Sequence, residues 1–185
     1  MALLERLRVT FTLGARDLRH LRAVAERASA RASRHPDAEL AAAARGRAAE
    51  VRKFSPPSYV VERVDRLESL IALLEDPDWD PPERVRGRVR AALAYFTDPH
   101  DLISDAVPGL GFLDDAIVIE LLGRELRHER AAYRSFARFR GAALRRLRAQ
   151  SPEWLARELG EERRRLRARV EARERALVVP GWRGR

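Results

Sequence analysis

Apolar residues recur at helical spacing along most of the chain. In the run from Ser58 to Leu74, Val64, Leu67 and Ile71 follow a 3.6-residue period. Similar stripes predict further helices over Ala15–Ser33, Pro36–Val51, Glu83–Phe96, about Phe112 through Arg140, and Ser151 to about Ala176. The pattern therefore predicts an all-α protein, a compact bundle of about six helices.

Proline marks most of the predicted helix ends, because the residue before it avoids helical dihedrals. The turn over Glu75–Pro82, E-D-P-D-W-D-P-P, is acidic and bounded by prolines, and we expect Trp79 to anchor it on the core. Ser151 followed by Pro152 is typical of a capped helix start.

The segment Arg8–Leu13 alternates apolar and polar residues, and it is the best candidate for a minor N-terminal strand. Leu177–Val179 is a weaker candidate, so the two could pair as a ribbon or stay extended termini. We predict a helical domain over residues 1–150, with a core motif at 84–131, and an Arg/Glu-rich helical arm over 151–185.

The chain is strongly basic, with a formal net charge of +9 and Lys53 as its single lysine among 37 basic residues. A basic surface favours acidic partners, although a GC-rich genome would also replace lysine by arginine. Cysteine is absent, which excludes disulfides and cysteine zinc sites. We expect a cytoplasmic location, with a peripheral or membrane-associated one as the alternative.

The stretch from Tyr95 to Asp115, Y-F-T-D-P-H-D-L-I-S-D-A-V-P-G-L-G-F-L-D-D, holds five aspartates, whereas Ala91–Gly123 has no Lys or Arg. It predicts a tight Asp/Pro/Gly hairpin turn between the fourth and fifth helices. Pro99 suits a first helical position, and Pro108 with Gly111 suits a chain reversal. Four of the acids fit helix starts, where carboxylates satisfy free N–H groups and the helix dipole: Asp98, Asp101, Asp114 and Asp115.

Asp105 does not fit a helix start. It follows Asp101 by four residues, so the two carboxylates would share a helix face and repel. A positive partner is therefore expected, and three remain open: an arginine from another helix, the N-terminus of the fifth helix, or a divalent cation. Apart from such a cation, held by Asp98, Asp101, Asp105, Asp114 and Asp115, we expect no cofactor.

These residues resemble the short domain of unknown function of YkvA-like bacterial proteins, whose pattern is Y-x-x-S/D-P-x-D-L-I-P-D-x-I-P-x-x-G-x-x-D-D. Ser104 departs from it, since the family usually has proline there. Ten positions match: Tyr95, Pro99, Asp101, Leu102, Ile103, Asp105, Pro108, Gly111, Asp114 and Asp115. The resemblance assigns no chemistry. It implies membrane association for some relatives, but the acids in Leu102–Leu122 argue against a simple transmembrane helix.

A second candidate surface lies between Glu129 and Glu153, where the chain has seven arginines and no acid. A basic helix interspersed with Phe136, Phe139 and Leu144 suits anionic lipid or a partner helix, or a solvated helix face. Nucleic-acid phosphate would also fit, without support from a recognised motif. The expected basic surface comprises Arg134, Arg138, Arg140, Arg145, Arg146 and Arg148.

Signatures of nucleophilic, phosphate-binding and zinc-dependent enzymes are missing from the sequence, so we predict no catalytic residues. The leading interpretation is a non-enzymatic interaction or structural protein that binds a protein partner or forms a homo-oligomer. The alternatives are a peripheral protein on anionic membranes and a metal-dependent enzyme built on the aspartate cluster.

Overall fold

The computed structural model describes residues 12, 14–31, 34–54, 56–98, 112–146 and 151–177, and the part of the chain that it describes is helical with turns. This confirms the all-α prediction. Seven helices lie within these ranges: α1 Ala15–Arg31, α2 Asp37–Lys53, α3 Ser58–Glu75, α4 Glu83–Phe96, α5 Leu113–Glu125, α6 Arg127–Arg146 and α7 Pro152–Leu177.

The expected count of about six helices is not confirmed, because the predicted fifth helix is two helices. The chain turns at Leu126, which has φ −92° and ψ 17° and whose side chain is buried. Neither proline nor a glycine at the break announces this turn. The proposed N-terminal strand and the hairpin between the fourth and fifth predicted helices lie outside the described residues, and Leu177 ends α7.

Prolines set three of the helix starts, as the sequence predicts. Pro36, Pro57 and Pro82 each stand immediately before a helix with φ near −56° and ψ near 150°. Their carbonyl groups accept the first intrahelical hydrogen bonds, so the missing N–H costs nothing there. Ser151 caps α7, since its Oγ accepts a hydrogen bond from the Trp154 N–H at 3.2 Å.

The core lies between α3 and α4 and is closed by α2, α5, α6 and α7. Leu67, Leu70 and Ile71 of α3 are at most 1% exposed, as the 3.6-residue period predicts. Helix α1 packs on α4 and α5, and α7 packs along α6. Leu166 and Val170 of α7 belong to the same buried cluster, so the predicted arm shares the core.

Candidate functional site

Only the two ends of the motif stretch are among the described residues. Pro99, Asp101, Asp105, Pro108 and Gly111 lie outside them. The expectations for these residues remain predictions. At the near end, Asp98 follows α4, and its backbone N–H donates to the Tyr95 carbonyl at 3.0 Å.

The two ends of the motif meet in the core through Tyr95 and Asp114. The Tyr95 hydroxyl donates a hydrogen bond to Asp114 Oδ2 at 2.8 Å, and both residues are at most 3% exposed. A hydrogen bond to a carboxylate is stronger than a neutral one, and burial strengthens it further. The contact therefore ties the end of α4 to the start of α5.

Asp114 and Asp115 lie in the first turn of α5, as the sequence predicts. Both residues are nevertheless buried, whereas helix-start acids usually face solvent. Phe112, just before the helix, has φ 66°, a left-handed conformation that is unusual for a bulky residue. Its ring is 5% exposed and lies 6.2 Å from the Phe54 ring, so packing holds this conformation.

Removing the Tyr95 hydroxyl should destabilise the protein by about 2 kcal/mol, because the buried Asp114 carboxylate would lose the hydrogen bond that Tyr95 donates. We expect Tyr95→Phe to keep the aromatic packing, so chemical denaturation should show a lower midpoint with an unchanged slope. In a protein that already carries Asp114→Ala, Tyr95→Phe should lower the free energy of unfolding by much less. Equal costs in both backgrounds would show that the hydrogen bond contributes nothing.

The metal interpretation gains no support from the described residues. Within the described ranges, no three His, Cys, Asp or Glu side chains are grouped so that they could hold a metal ion. The cluster that suggested a cation includes Asp101 and Asp105, which lie outside these ranges. A divalent cation at the motif therefore stays a prediction.

The predicted basic surface divides into two parts on α6. Arg134, Arg138, Arg145 and Arg146 are exposed, whereas Arg148 lies outside the described residues. Arg140 turns inward instead: its Nη1 lies 2.7 Å from Asp76 Oδ1 and 2.9 Å from Asp78 Oδ2. Phe136 is fully buried, so the apolar side of this helix packs on the core.

Four arginines of α6 form a straight line, which we call the arginine stripe: Arg127, Arg134, Arg138 and Arg145. Their spacings of seven, four and seven place them on one helix face. All four are exposed, and none of them forms an ion pair with any described residue. The stripe is about 27 Å long, from the rise per residue of an α-helix.

The turn between α3 and α4 is tied to α6 and α7 through a buried cluster, which we call the Trp79 junction: Asp76, Trp79, Glu129, Arg140 and Arg167. The Trp79 side chain is fully buried, as the sequence predicts, and its ring centre lies 5.2 Å from that of Phe136. Its Nε1 donates to Glu129 Oε1 at 3.2 Å. Arg167 stacks over the ring and donates to the Trp79 carbonyl at 2.6 Å.

Electrostatics distinguishes the two acids of the Trp79 junction. Burial alone would raise the pKa of Asp76, but hydrogen bonds from Arg140 and Tyr133 outweigh it and hold that pKa below its usual value. Burial raises the pKa of Glu129, against the opposing charges of Arg167 and Arg84. Asp76 is therefore a stabilising carboxylate, whereas the charge of Glu129 is poorly compensated.

The sequence offered little signal for the Trp79 junction. The sequence predicts the acidic turn but not its partners, because Asp76 and Arg140 are 64 residues apart and Trp79 and Glu129 are 50 apart. Glu129 is the last acid before the arginine run. An acid at that position is the one local sign that the surroundings of Glu129 differ from those of the arginines that follow it in α6.

Comparison with known proteins gives one family match. Residues 85–121 match the family described as "Protein of unknown function (DUF1232)". Among curated proteins, the chain is similar to the "Uncharacterized membrane protein YkvA" of Bacillus subtilis (strain 168), at 36% identity over 62 residues. That alignment covers 30% of this chain and 58% of YkvA. No solved structure matches the chain.

None of the described helices is long and apolar enough to cross a bilayer.

The family match covers α4 from Val85, residues 97–112 and α5 to Leu121, and so includes both Tyr95 and Asp114. The resemblance to YkvA-like proteins that the motif indicates is thereby confirmed. Over residues 85–121, the chain is therefore similar to YkvA-like proteins of the DUF1232 family.

Proposed function

We propose that this protein is a non-enzymatic helical interaction protein that binds an acidic protein partner through the arginine stripe of α6. The observation that carries the proposal is a line of four exposed guanidinium groups on α6, between which the one acid, Glu129, is buried. The arginines of a solvated helix face are usually interleaved with acids, as they are on α7.

Other arginines of the chain support this interpretation by contrast. Arg45 pairs with Glu68 and Glu75, and Arg86 and Arg90 pair with Asp37. Arginine is thus used widely to hold helices together. The stripe departs from this use and leaves its charge available for association, which electrostatic attraction would accelerate.

The buried acids support a structural role for the motif. Asp114 binds Tyr95, and Asp76 binds Arg140 and Tyr133, so each of these carboxylates links two helices. Such contacts hold neighbouring helices in one arrangement, and those of Asp76 fix α6 against the α3–α4 turn. A rigid helix presents its charges at fixed spacing, which favours a partner with a matching acidic face.

Reversing the charge of the stripe should weaken the binding of acidic partners. We expect the triple variant Arg134→Glu, Arg138→Glu, Arg145→Glu to bind its partner at least about tenfold more weakly, because like charges would face each other. Affinity capture from a bacterial extract at low salt, followed by titration of each captured protein, measures this. Binding by the wild type should also fall as salt screens the charges.

The matched control is the triple variant Arg157→Glu, Arg164→Glu, Arg169→Glu on α7. These arginines are equally exposed and the charge change is identical, but acids lie among them. Partners should remain bound to this variant. If both triple variants lose the same partners, net charge and not the stripe is responsible, and the proposal fails.

A second candidate function is peripheral attachment to an anionic membrane. It is favoured by the name of the similar protein YkvA and by Leu144, a large apolar side chain that is 48% exposed next to Arg145. Each arginine near such a surface contributes about 1 kcal/mol. Because Phe136 is buried, this attachment would depend on charge more than on insertion.

Vesicle flotation separates the two candidates. If the membrane is the target, the wild type floats with phosphatidylglycerol vesicles at low salt and stays unbound with phosphatidylcholine vesicles. The α6 triple variant should then remain at the bottom, whereas the α7 triple variant should float. Absence of floated wild-type protein would remove the membrane candidate and leave the protein partner.

A further inference from the structure

A cavity of about 360 Å³ lies between α1, α3 and α5, and we call it the α5 pocket. Its walls are mostly apolar and include Tyr59 of α3 and Ile117 and Leu121 of α5. Its polar lining consists of Arg63, Glu120 and Arg124. A cavity of this size, apolar with a few polar groups, is typical of a small-molecule site.

The polar end of the α5 pocket carries more positive than negative charge. Three guanidinium groups converge on the Glu120 carboxylate: Arg124 Nε at 2.8 Å, Arg63 Nε at 3.2 Å, and Arg66 in a short contact. Arg63 also contacts the exposed Glu62. Among the described residues, three arginines meet two acids here, so one positive charge is uncompensated.

A fourth arginine, Arg130, lies near Arg66 but outside the lining of the pocket. Arg130 Nη2 donates to Ser69 Oγ at 3.2 Å, whereas its buried Nε has no hydrogen-bond partner among the described residues. Burial lowers the pKa of Arg130, and the neighbouring charges of Arg66 and Arg134 lower it further. Among the described residues, these arginines outnumber the carboxylates that they contact, which favours an added anion.

Gly123 allows this arrangement. A Cβ atom at this position would lie 2.8 Å from Arg66 Cδ and 3.4 Å from a terminal nitrogen of Arg130. Because Gly123 has no side chain, the Arg66 side chain can pack against α5 at this position while its guanidinium group contacts Glu120. The helix gives up the helical preference of a residue such as alanine to admit these guanidinium groups.

From this geometry we infer that the α5 pocket binds an amphiphilic anion, a single alkyl or acyl chain with a carboxylate or phosphate head. The chain lies against Tyr59, Ile117 and Leu121, and the head meets Arg63 and Arg124. The occupant is identified by complementarity: apolar walls exclude a fully polar anion, and the surplus arginines disfavour a neutral lipid. The site is separate from the arginine stripe.

Isothermal titration of the full chain with four ten-carbon probes below their micelle concentrations tests the inference. Decanoate, decyl phosphate and decanoyl lysophosphatidylglycerol should each bind saturably at one site. Decanol should bind about tenfold more weakly, since it lacks the charge that the arginines recognise. The tightest of the three anions identifies whether a free acid, a phosphate or a lipid is the natural source.

Two variants locate the binding. Ile117→Trp fills the cavity and should abolish binding of every probe. Arg63→Gln with Arg124→Gln should weaken the anions about tenfold and leave decanol unchanged. The matched control, Arg52→Gln with Arg175→Gln, removes the same charge from exposed, ion-paired arginines outside the pocket and should bind like the wild type.

Three results would overturn the inference: no binding of any anion, equal binding of decanol and decanoate, or unchanged binding by Ile117→Trp. Circular dichroism and the thermal midpoint of each variant establish that it is folded. If the double arginine variant does not fold, two results still test the inference: the difference in affinity between decanoate and decanol, and the effect of Ile117→Trp on binding.

Discussion

Replacing Trp79 by alanine should lower the free energy of unfolding by about 4 kcal/mol, a large share of the stability of a small domain. Trp79 is fully buried, and its ring contacts Phe136 and Tyr133, whose centres lie 5.2 and 5.8 Å away. Truncation leaves a cavity at the point where the α3–α4 turn meets α6. Chemical denaturation followed by circular dichroism measures the loss.

Two further variants separate packing from hydrogen bonding. Trp79→Phe keeps an aromatic ring but removes the donor to the buried Glu129, so it should cost about 2 kcal/mol. Phe54→Ala truncates an aromatic side chain that is 73% exposed, and it should cost no more than about 1 kcal/mol. Similar losses in Trp79→Ala and Phe54→Ala would contradict the anchoring role of Trp79.

Neutralising Asp76 should have the second largest effect. Asp76→Asn should lower the free energy of unfolding by about 3 kcal/mol, because Arg140 would lose its buried counter-ion. The Asp76 side chain is 4% exposed and that of Arg140 is 26% exposed, which places the cost at the low end for buried pairs. The asparagine can still accept the hydrogen bonds from the turn backbone.

The Asp76 pair also predicts a dependence on pH. The folded-state pKa of Asp76 lies below its ordinary value of 3.8, because the bonds from Arg140 and Tyr133 outweigh the effect of burial. The unfolded chain therefore binds this proton more readily, so the stabilisation is complete above 3.8 and is lost as the pH falls through the folded pKa. Wild type and Asp76→Asn should converge in stability toward the acid end.

Asp78→Asn provides the control for this pair. Asp78 also accepts a hydrogen bond from Arg140, at 2.9 Å, but its side chain is 47% exposed. We expect a loss of only about 0.5 kcal/mol, as for surface ion pairs. Two results would contradict this account of the buried Asp76–Arg140 pair. One is an equal loss of stability in Asp78→Asn and Asp76→Asn. The other is a difference in stability between wild type and Asp76→Asn that persists in acid.

For the two acids at the start of α5, the local sequence predicts the position in the helix but not the burial of the side chains. The first-turn positions of Asp114 and Asp115 follow from sequence, because an acid soon after a turn satisfies free N–H groups. Their burial does not follow. It depends on α4, which brings Tyr95 across to Asp114. Residues that are 19 apart meet here only because two helices pack.

The arginines of α6 likewise have a spacing that the sequence predicts and ion-pair partners that it does not. The sequence places seven arginines between Glu129 and Glu153, and helical spacing alone puts several of them on one face. It does not separate Arg140 from the others, although Arg140 is held by Asp76 and the stripe is not. With 37 basic residues in the chain, local spacing does not specify which arginine meets which acid.

By itself, the sequence determined the helical class, most helix ends, the inward stripes and the burial of Trp79, because proline, capping residues and a 3.6-residue period act over a few neighbours. The tertiary structure decided the break at Leu126, the Trp79 junction and the arginines around Glu120. The Trp79 junction and the contacts of Arg63 and Arg66 with Glu120 join residues about 50 or more positions apart along the chain. Their energies come from burial and charge pairing between helices, which no local pattern encodes.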